Sequence, residues 1–292
     1  MKTRRIRPVP AAALLLLSLA TLSASAANCL WKATSKKGTF YIPGSSHVLK
    51  AANYPLDPAI EAAYSNATVL VLEVDMADMM SPKTQQLILG KAMLAPPAKL
   101  ESVLDAPTYE NLAAACKEAG LPMEAVQPFK PWFATTTLML LKMQQMGLSA
   151  EHGLDKHFYD KAVTDQKRIV GLETLDYQIS LFDSLSEANP NDFVNRALID
   201  LELMEGELEK LLTAWKTGDI GTLGEMLTKS FEDFPEIHDR FITARNKRWA
   251  DALAKMAKNE ETYLVVVGAG HLPGKTGLLE LLGEKGFDLE QR

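Results

Sequence analysis

The sequence has few residues of the kinds that bind metals or carry out thiol chemistry: 292 residues include two cysteines and five histidines. Cys29 and Cys116 are too far apart in the sequence for the paired spacing of a zinc or redox motif. In an oxidising compartment they would either form one disulfide or remain free thiols, and the sequence leaves both open. With so few histidines, each can be judged by its own surroundings.

Clustered positive charge is also lacking, because no cluster of Lys or Arg follows the N-terminal segment. The whole chain has a net charge of −6. Removal of Lys2, Arg4, Arg5 and Arg7 with a leader would bring it to about −10, which is −6 minus 4. A chain with this charge is a poor partner for nucleic acid and for anionic membrane surfaces.

Long apolar runs are missing as well. The strongest run, residues 11–22, is shorter than the roughly 20 residues needed to span a bilayer, so no stable membrane insertion is predicted. It follows a basic start and precedes SASA at residues 23–26, an A-x-A arrangement typical of a cleaved secretory signal. We therefore predict a signal peptide over residues 1–26 and a periplasmic or secreted protein.

What the sequence does contain is a regular order of strands and helices. Two paired strands at 29–34 and 38–44 are followed by a short helix that Asp57 caps. The apolar run 68–74 predicts a central strand covered on both faces, and 168–174 a shorter strand of the same type. The last strand is 262–268, before a short helix and a tail.

The predicted fold class is α/β, in one domain over residues 27–292. Central strands from both ends of the chain surround a cleft, and the middle of the chain is largely helical. Helical periodicity places insertions at about 81–161 and 189–258.

Two histidines follow predicted strands in the same short pattern. His47 and His271 each end a G-x-x-H element at a strand exit, where the strand fixes the backbone and the glycine allows a close turn. Glu73 interrupts the most apolar strand, and Glu173 ends the next. Carboxylates and imidazoles at the carboxyl ends of neighbouring strands predict a divalent-metal site. The other histidines, which we interpret as structural, are His152, His157 and His238.

Two alternatives remain open at these positions. Glu173 precedes Thr174, a capping residue, so its role would be helix-start chemistry. Residues 269–276 match the phosphate-binding form [AG]-x-x-x-x-G-K-[ST]. That second alternative is disfavoured because Pro273 removes a backbone donor and only a short helix and a tail follow.

The motifs taken together resemble those of the TraB/GumN family, which is related to the Tiki metalloproteases. The matching stretches are GSSH at 44–47, LEVD at 72–75, GLD at 153–155, GLET at 171–174, RNKRW at 245–249 and VGAGHLPG at 267–274. Two G-x-x-H elements with R-N-x-x-W between them are specific as a set. After GLET the chain has LDYQ where a Glu-Gln pair is expected, and Gln178 fills part of that pattern.

The resemblance implies an erythromycin-esterase/ChaN-like fold with a metal cleft. His47 and His271 would be metal ligands, and Glu73 a ligand or the catalytic base. Glu173, Arg245 and Asn246 would line the cleft. From the chemistry of the guanidinium group we further predict that Arg245 stabilises an oxyanion or holds a substrate carboxylate. Manganese or cobalt is favoured as the metal, with zinc and iron as alternatives.

The implied function is an exported divalent-metal-dependent hydrolase, a peptidase with a peptide or protein substrate. The alternative is a non-catalytic periplasmic protein that binds a peptide or signal molecule in the same cleft. Serine-esterase chemistry is disfavoured because no G-x-S-x-G element is present. The substrate and the oligomeric state do not follow from the sequence.

Overall fold

The strands form one six-stranded sheet, and strands from both ends of the chain take part in it, as the sequence predicts. The computed structural model describes residues 28–232 and 235–292, so the predicted signal peptide lies outside the described residues. The strands are β1 (Leu30–Thr34), β2 (Thr39–Ser45), β3 (Val69–Val74), β4 (Arg168–Glu173), β5 (Thr262–Gly268) and β6 (Asp288–Gln291). Their order across the sheet is β4-β3-β5-β2-β1-β6.

Four neighbouring strands run parallel and create the edge at which the site lies. β2 pairs parallel with β5, β5 with β3, and β3 with β4. Every residue of β3 is buried, as its apolar run predicts, because both faces of the strand are covered. The carboxyl ends of these four strands therefore meet along one edge of the sheet.

Fourteen α-helices in the described residues surround this sheet. They are α1 (Pro58–Asn66), α2 (Met76–Met80), α3 (Pro82–Ala92), α4 (Leu100–Val103), α5 (Ala106–Glu118), α6 (Met123–Val126), α7 (Pro131–Gln145), α8 (Leu154–Thr164), α9 (Leu175–Ala188), α10 (Pro190–Thr217), α11 (Ile220–Phe231), α12 (Pro235–His238), α13 (Ala244–Met256) and α14 (Leu278–Glu284). α1 begins as predicted, because Asp57 accepts the Ala59 N–H and Pro58 occupies the first turn.

Two expectations about the strands are wrong. β4 is an edge strand whose residues are half-buried or exposed, and not a strand covered on both faces. The predicted C-terminal tail contains β6, which pairs antiparallel with β1. A four-residue strand with alternating polar residues is too short to leave a periodic signal.

The apolar core is divided between the sheet and the helical middle of the chain. The main cluster packs around β3 and β5, while a separate cluster including Leu112, Leu138 and Leu201 joins α5, α7 and α10. Cys29 lies in the first cluster and Cys116 in the second, and both are buried free thiols. None of the described helices is long and apolar enough to cross a membrane.

Candidate active site

All six predicted site residues lie at one edge of the sheet, four of them at or just beyond the ends of parallel strands and two on a helix. His47 lies two residues beyond β2, and Gly268 ends β5 immediately before a 3-10 turn, Ala269–His271. Glu73 is the penultimate residue of β3, and Glu173 is the last residue of β4. Helix α13 covers this edge and contributes Arg245 and Asn246 from its first turn.

His47 is held by the first turn of α8. The Leu154 N–H donates to the Ser46 carbonyl (3.1 Å), which fixes the start of the helix against the His47 loop. Asp155 Oδ2 then accepts from Ser45 Oγ (2.5 Å) and from His47 Nδ1 (2.9 Å). Gly153 is required here because a Cβ at this position would collide with the His47 carbonyl.

The other ring nitrogen of His47 is directed towards Glu73. Nε2 lies 3.7 Å from Glu73 Oε1, and 59% of the His47 side chain is exposed. The charge of Asp155, with a smaller effect of Glu73, raises the pKa of the imidazole to about 10. In the absence of another cation, the ring therefore carries a proton between two carboxylates.

Glu73 is a buried carboxylate with a partner at each oxygen. Oε1 accepts the Gly268 N–H (2.8 Å), and Oε2 accepts from Arg245 Nη2 (2.6 Å) and Gln178 Nε2 (3.1 Å). Burial alone would raise the pKa of this carboxyl, but the positive charges of His47 and Arg245 and the Gly268 N–H bring it down to about 2. Glu73 is therefore ionised, which suits a ligand better than a proton acceptor.

Arg245 is the buried cation at the centre of the cluster. Its Nε donates to Glu173 Oε2 (3.0 Å), its Nη2 reaches Glu73, and its Nη1 donates to the Phe241 carbonyl (3.2 Å). The residue is 7% exposed, and its guanidinium also lies over the Trp249 ring. Arg245 therefore presents no open fork to a substrate carboxylate, in contrast to one of the two roles predicted for it from guanidinium chemistry.

His271 is buried and neutral. Its Nε2 accepts from Arg245 Nη1 (3.1 Å), and its Nδ1 donates to Asn246 Oδ1 (2.7 Å). Burial lowers the pKa of the imidazole to about 3. Asn246 is fully buried, and its Nδ2 donates to the carbonyls of His271 (3.0 Å) and Thr276 (2.8 Å), so it fixes the loop that carries the histidine.

Of the three predicted metal ligands, His47 and Glu73 have a donor atom placed for a metal ion, and His271 does not. A Cβ added to Gly268 would lie 3.2 Å from His47 Nε2 and 3.4 Å from Glu73 Oε1, so both donors face the space above this glycine. The Nε2 lone pair of His271 is directed at Arg245 instead. Within residues 28–232 and 235–292, no group of three His, Cys, Asp or Glu side chains is arranged to hold a metal ion.

Three further residues belong to the site, and the sequence indicates their roles only in part or not at all. Asp155 was seen as part of the GLD stretch, without a role; its place in the first turn of a helix was the available signal. Gln178 donates to both Glu73 and Glu173, and it therefore takes the place of the Gln in the Glu-Gln pair expected after GLET. Arg248 donates to Glu173 Oε1 (3.1 Å), a contact that no spacing rule indicates.

The fold and the site define an α/β protein with a histidine, carboxylate and arginine cluster at the carboxyl ends of its parallel strands. The chain belongs to the TraB/PrgY/gumN family, whose family model matches residues 29–291. It is similar to the uncharacterized protein YbaP of Escherichia coli (strain K12), with 25% identity over 248 residues, 83% of this chain and 87% of that protein. The uncharacterized protein YbaP of Shigella flexneri is 24% identical over 247 residues, with coverage of 83% and 87%. No solved structure matches the chain.

Proposed function

We propose that the protein is an exported divalent-metal-dependent hydrolase that acts on peptides, with its reactive centre above Gly268. The observation that carries the proposal is the placement of His47: its side chain is largely exposed, its ring is oriented by Asp155, and its Nε2 lies 3.7 Å from Glu73 Oε1. A histidine whose second nitrogen is bonded to a carboxylate is typical of metal ligands, because that bond fixes the ring and raises its basicity.

His47 Nε2 and Glu73 Oε1 would hold the ion, and His271 would join them only if it released Arg245. A bound divalent ion would supply a water molecule with a lowered pKa. The negative charges of Asp155 and Glu73 favour a positive charge at His47 Nε2. When no metal is bound, Nε2 carries a proton instead. Metal and proton therefore compete for one lone pair.

The remaining residues keep the reactive centre in shape. Arg245 neutralises Glu73 and Glu173, which otherwise would be two carboxylates buried side by side. The Gly268 N–H orients Glu73 Oε1 towards His47. Because Gly268 has no side chain, a peptide backbone can approach both donors closely.

A second candidate is a non-catalytic protein that binds a peptide in the same cleft. One observation favours this candidate: Arg245 already donates hydrogen bonds to Glu73 and His271, so a cation of the protein itself takes the place of a metal ion. In this case the cluster would be a structural ion-pair network, and the cleft above Gly268 would bind peptide without cleaving it.

Metal content and peptide cleavage separate the two candidates. The protein is purified from the periplasm without a polyhistidine tag, as wild type, His47→Ala, His271→Ala and the matched control His152→Ala. For the hydrolase we expect near-stoichiometric manganese, cobalt, iron or zinc in the wild type and the control, loss of metal in His47→Ala, and peptide cleavage that stops on chelation. Equal metal content in His47→Ala and wild type would contradict the proposed site.

The His271→Ala variant tests the third ligand. Loss of metal would mean that His271 leaves Arg245 when an ion binds, whereas retained metal would leave His47 and Glu73 as the protein ligands. If the wild type holds no metal after anaerobic reconstitution with manganese and cobalt, and cleaves no peptide, the binding protein becomes the better candidate.

A further inference from the structure

We propose that Arg248 recognises the substrate of this site by binding the C-terminal carboxylate of a peptide. The proposal rests on the proposed function, because it names the class of peptide that would reach the reactive centre. Arg248 follows Arg245 by three residues on α13, so the two side chains lie on the same face of the helix, one turn apart.

The two arginines differ in what they offer to a ligand. Arg245 is 8% exposed in its side chain, and its N–H groups are bonded within the cluster. Arg248 is 50% exposed in its side chain, and its only ion pair among the described residues is with Glu173. The outward edge of the Arg248 guanidinium is therefore available where the cluster meets solvent.

Arg248 is also held in a defined orientation. Its guanidinium lies 4.0 Å over the ring of Tyr177, and its Nη2 donates to Glu173 Oε1 (3.1 Å). A guanidinium fixed in this way can present a planar pair of N–H groups to a carboxylate with little further loss of side-chain entropy.

The sheet sets the distance between Arg248 and the reactive centre. That centre lies above Gly268 at the end of β5, and Glu173, which contacts Arg248, ends β4. β3 lies between these strands, so two strand spacings, about 10 Å, separate the backbones of Gly268 and Glu173, while the Glu173 side chain reaches back to share Arg245 with Glu73. An extended peptide covers about 10 Å in roughly three residues.

The substrate class that follows is a peptide with a free C-terminus, cut within about three residues of its end. Water adds across the peptide bond: a C–O bond forms, the C–N bond breaks, and the new amine of the released C-terminal fragment takes up the proton. The carboxylate bound by Arg248 belongs to that fragment and does not react.

The test uses two mixed octapeptide libraries of identical composition, one with free and one with amidated C-termini. We expect wild type to cleave the free-acid library with a KM roughly tenfold lower, which is the scale of one charge-assisted contact partly exposed to water. Arg248→Gln should lose this preference by raising KM for the free acids alone, and Arg248→Lys should restore part of it. Lys247→Gln, an exposed neighbour with the same change of charge, should behave as wild type. An equal effect of Arg248→Gln on both libraries would overturn the proposal.

Binding without turnover distinguishes failure of this proposal from failure of the hydrolase. Fluorescein-labelled versions of both libraries are titrated against His47→Ala and against His47→Ala/Arg248→Gln, and binding is followed by anisotropy. Tighter binding of the free acids to the first protein, lost in the second, supports the role of Arg248 even if wild type cleaves nothing. Equal binding of the two libraries to the first protein, or no binding of either, overturns it even if wild type is a hydrolase.

Discussion

The two G-x-x-H histidines follow adjacent parallel strands, yet their surroundings are opposite. His47, after β2, has 59% of its side chain exposed and an Nε2 that lies 3.7 Å from Glu73 Oε1. His271, after β5, is 6% exposed, and both of its ring nitrogens are bonded inside the protein. The pKa of the first imidazole is raised, and that of the second is lowered.

The difference arises from what packs over each strand end. The His47 loop meets the first turn of α8, whose Asp155 holds one side of the ring and leaves the other open. The His271 loop lies under α13, and Trp249 packs on the imidazole with 4.4 Å between ring centroids. One motif therefore yields an open, charged histidine and a closed, neutral one, and only the first is placed to contact a ligand without rearrangement.

The largest expected effect concerns the buried part of the site, which contains His271 and Arg245. Arg245→Met leaves Glu73 and Glu173 buried without their cation, which should lower the free energy of unfolding by about 3–5 kcal/mol. Arg248→Met removes an exposed partner of Glu173 and should cost about 1 kcal/mol or less. Urea unfolding of both variants measures the difference. Similar losses would show that burial of Arg245 does not govern the stability of the cluster.

A smaller effect compares the histidines directly. His271→Ala removes two internal hydrogen bonds and the contact with Trp249, and should lower the free energy of unfolding by about 2–3 kcal/mol. His47→Ala changes a largely exposed side chain and should stay within about 0.5–1 kcal/mol of wild type while losing function. Chemical denaturation with matched m-values checks this. An equal loss in the free energy of unfolding for the two variants would contradict the difference in burial between the two histidines.

The smallest change in stability is expected at Gly268. Its backbone conformation suits alanine, but the added methyl group would enter the space between His47 and Glu73. Gly268→Ala should therefore reduce metal binding or cleavage about tenfold, equivalent to about 1.4 kcal/mol, with little change in the unfolding midpoint. Gly90→Ala, on α3 with no atom within 4 Å of the new methyl group, is the matched control and should keep full activity. Wild-type activity in Gly268→Ala would place the reactive centre elsewhere.

Much of the site could be predicted because parallel strands bring their carboxyl ends to one edge. His47, Glu73, Glu173 and His271 were recognised as strand-end residues, and they do meet in one network with Arg245. Asp155 could not be assigned a role, since its contact with His47 spans 108 residues and depends on where α8 packs. Both histidines end the same G-x-x-H pattern, so the pattern does not indicate that one side chain is exposed and the other buried.

The sequence by itself determined the α/β class, the buried strands β3 and β5, and the positions of the histidines and glutamates relative to those strands. These follow from local patterns of apolar residues, caps and glycines, which act over a few residues. The tertiary structure alone decided that β4 and β6 are edge strands, that Arg245 neutralises two carboxylates, and that Arg248 remains exposed. Those outcomes depend on which elements pack against each other, because burial and charge pairing are set by neighbours distant in the chain.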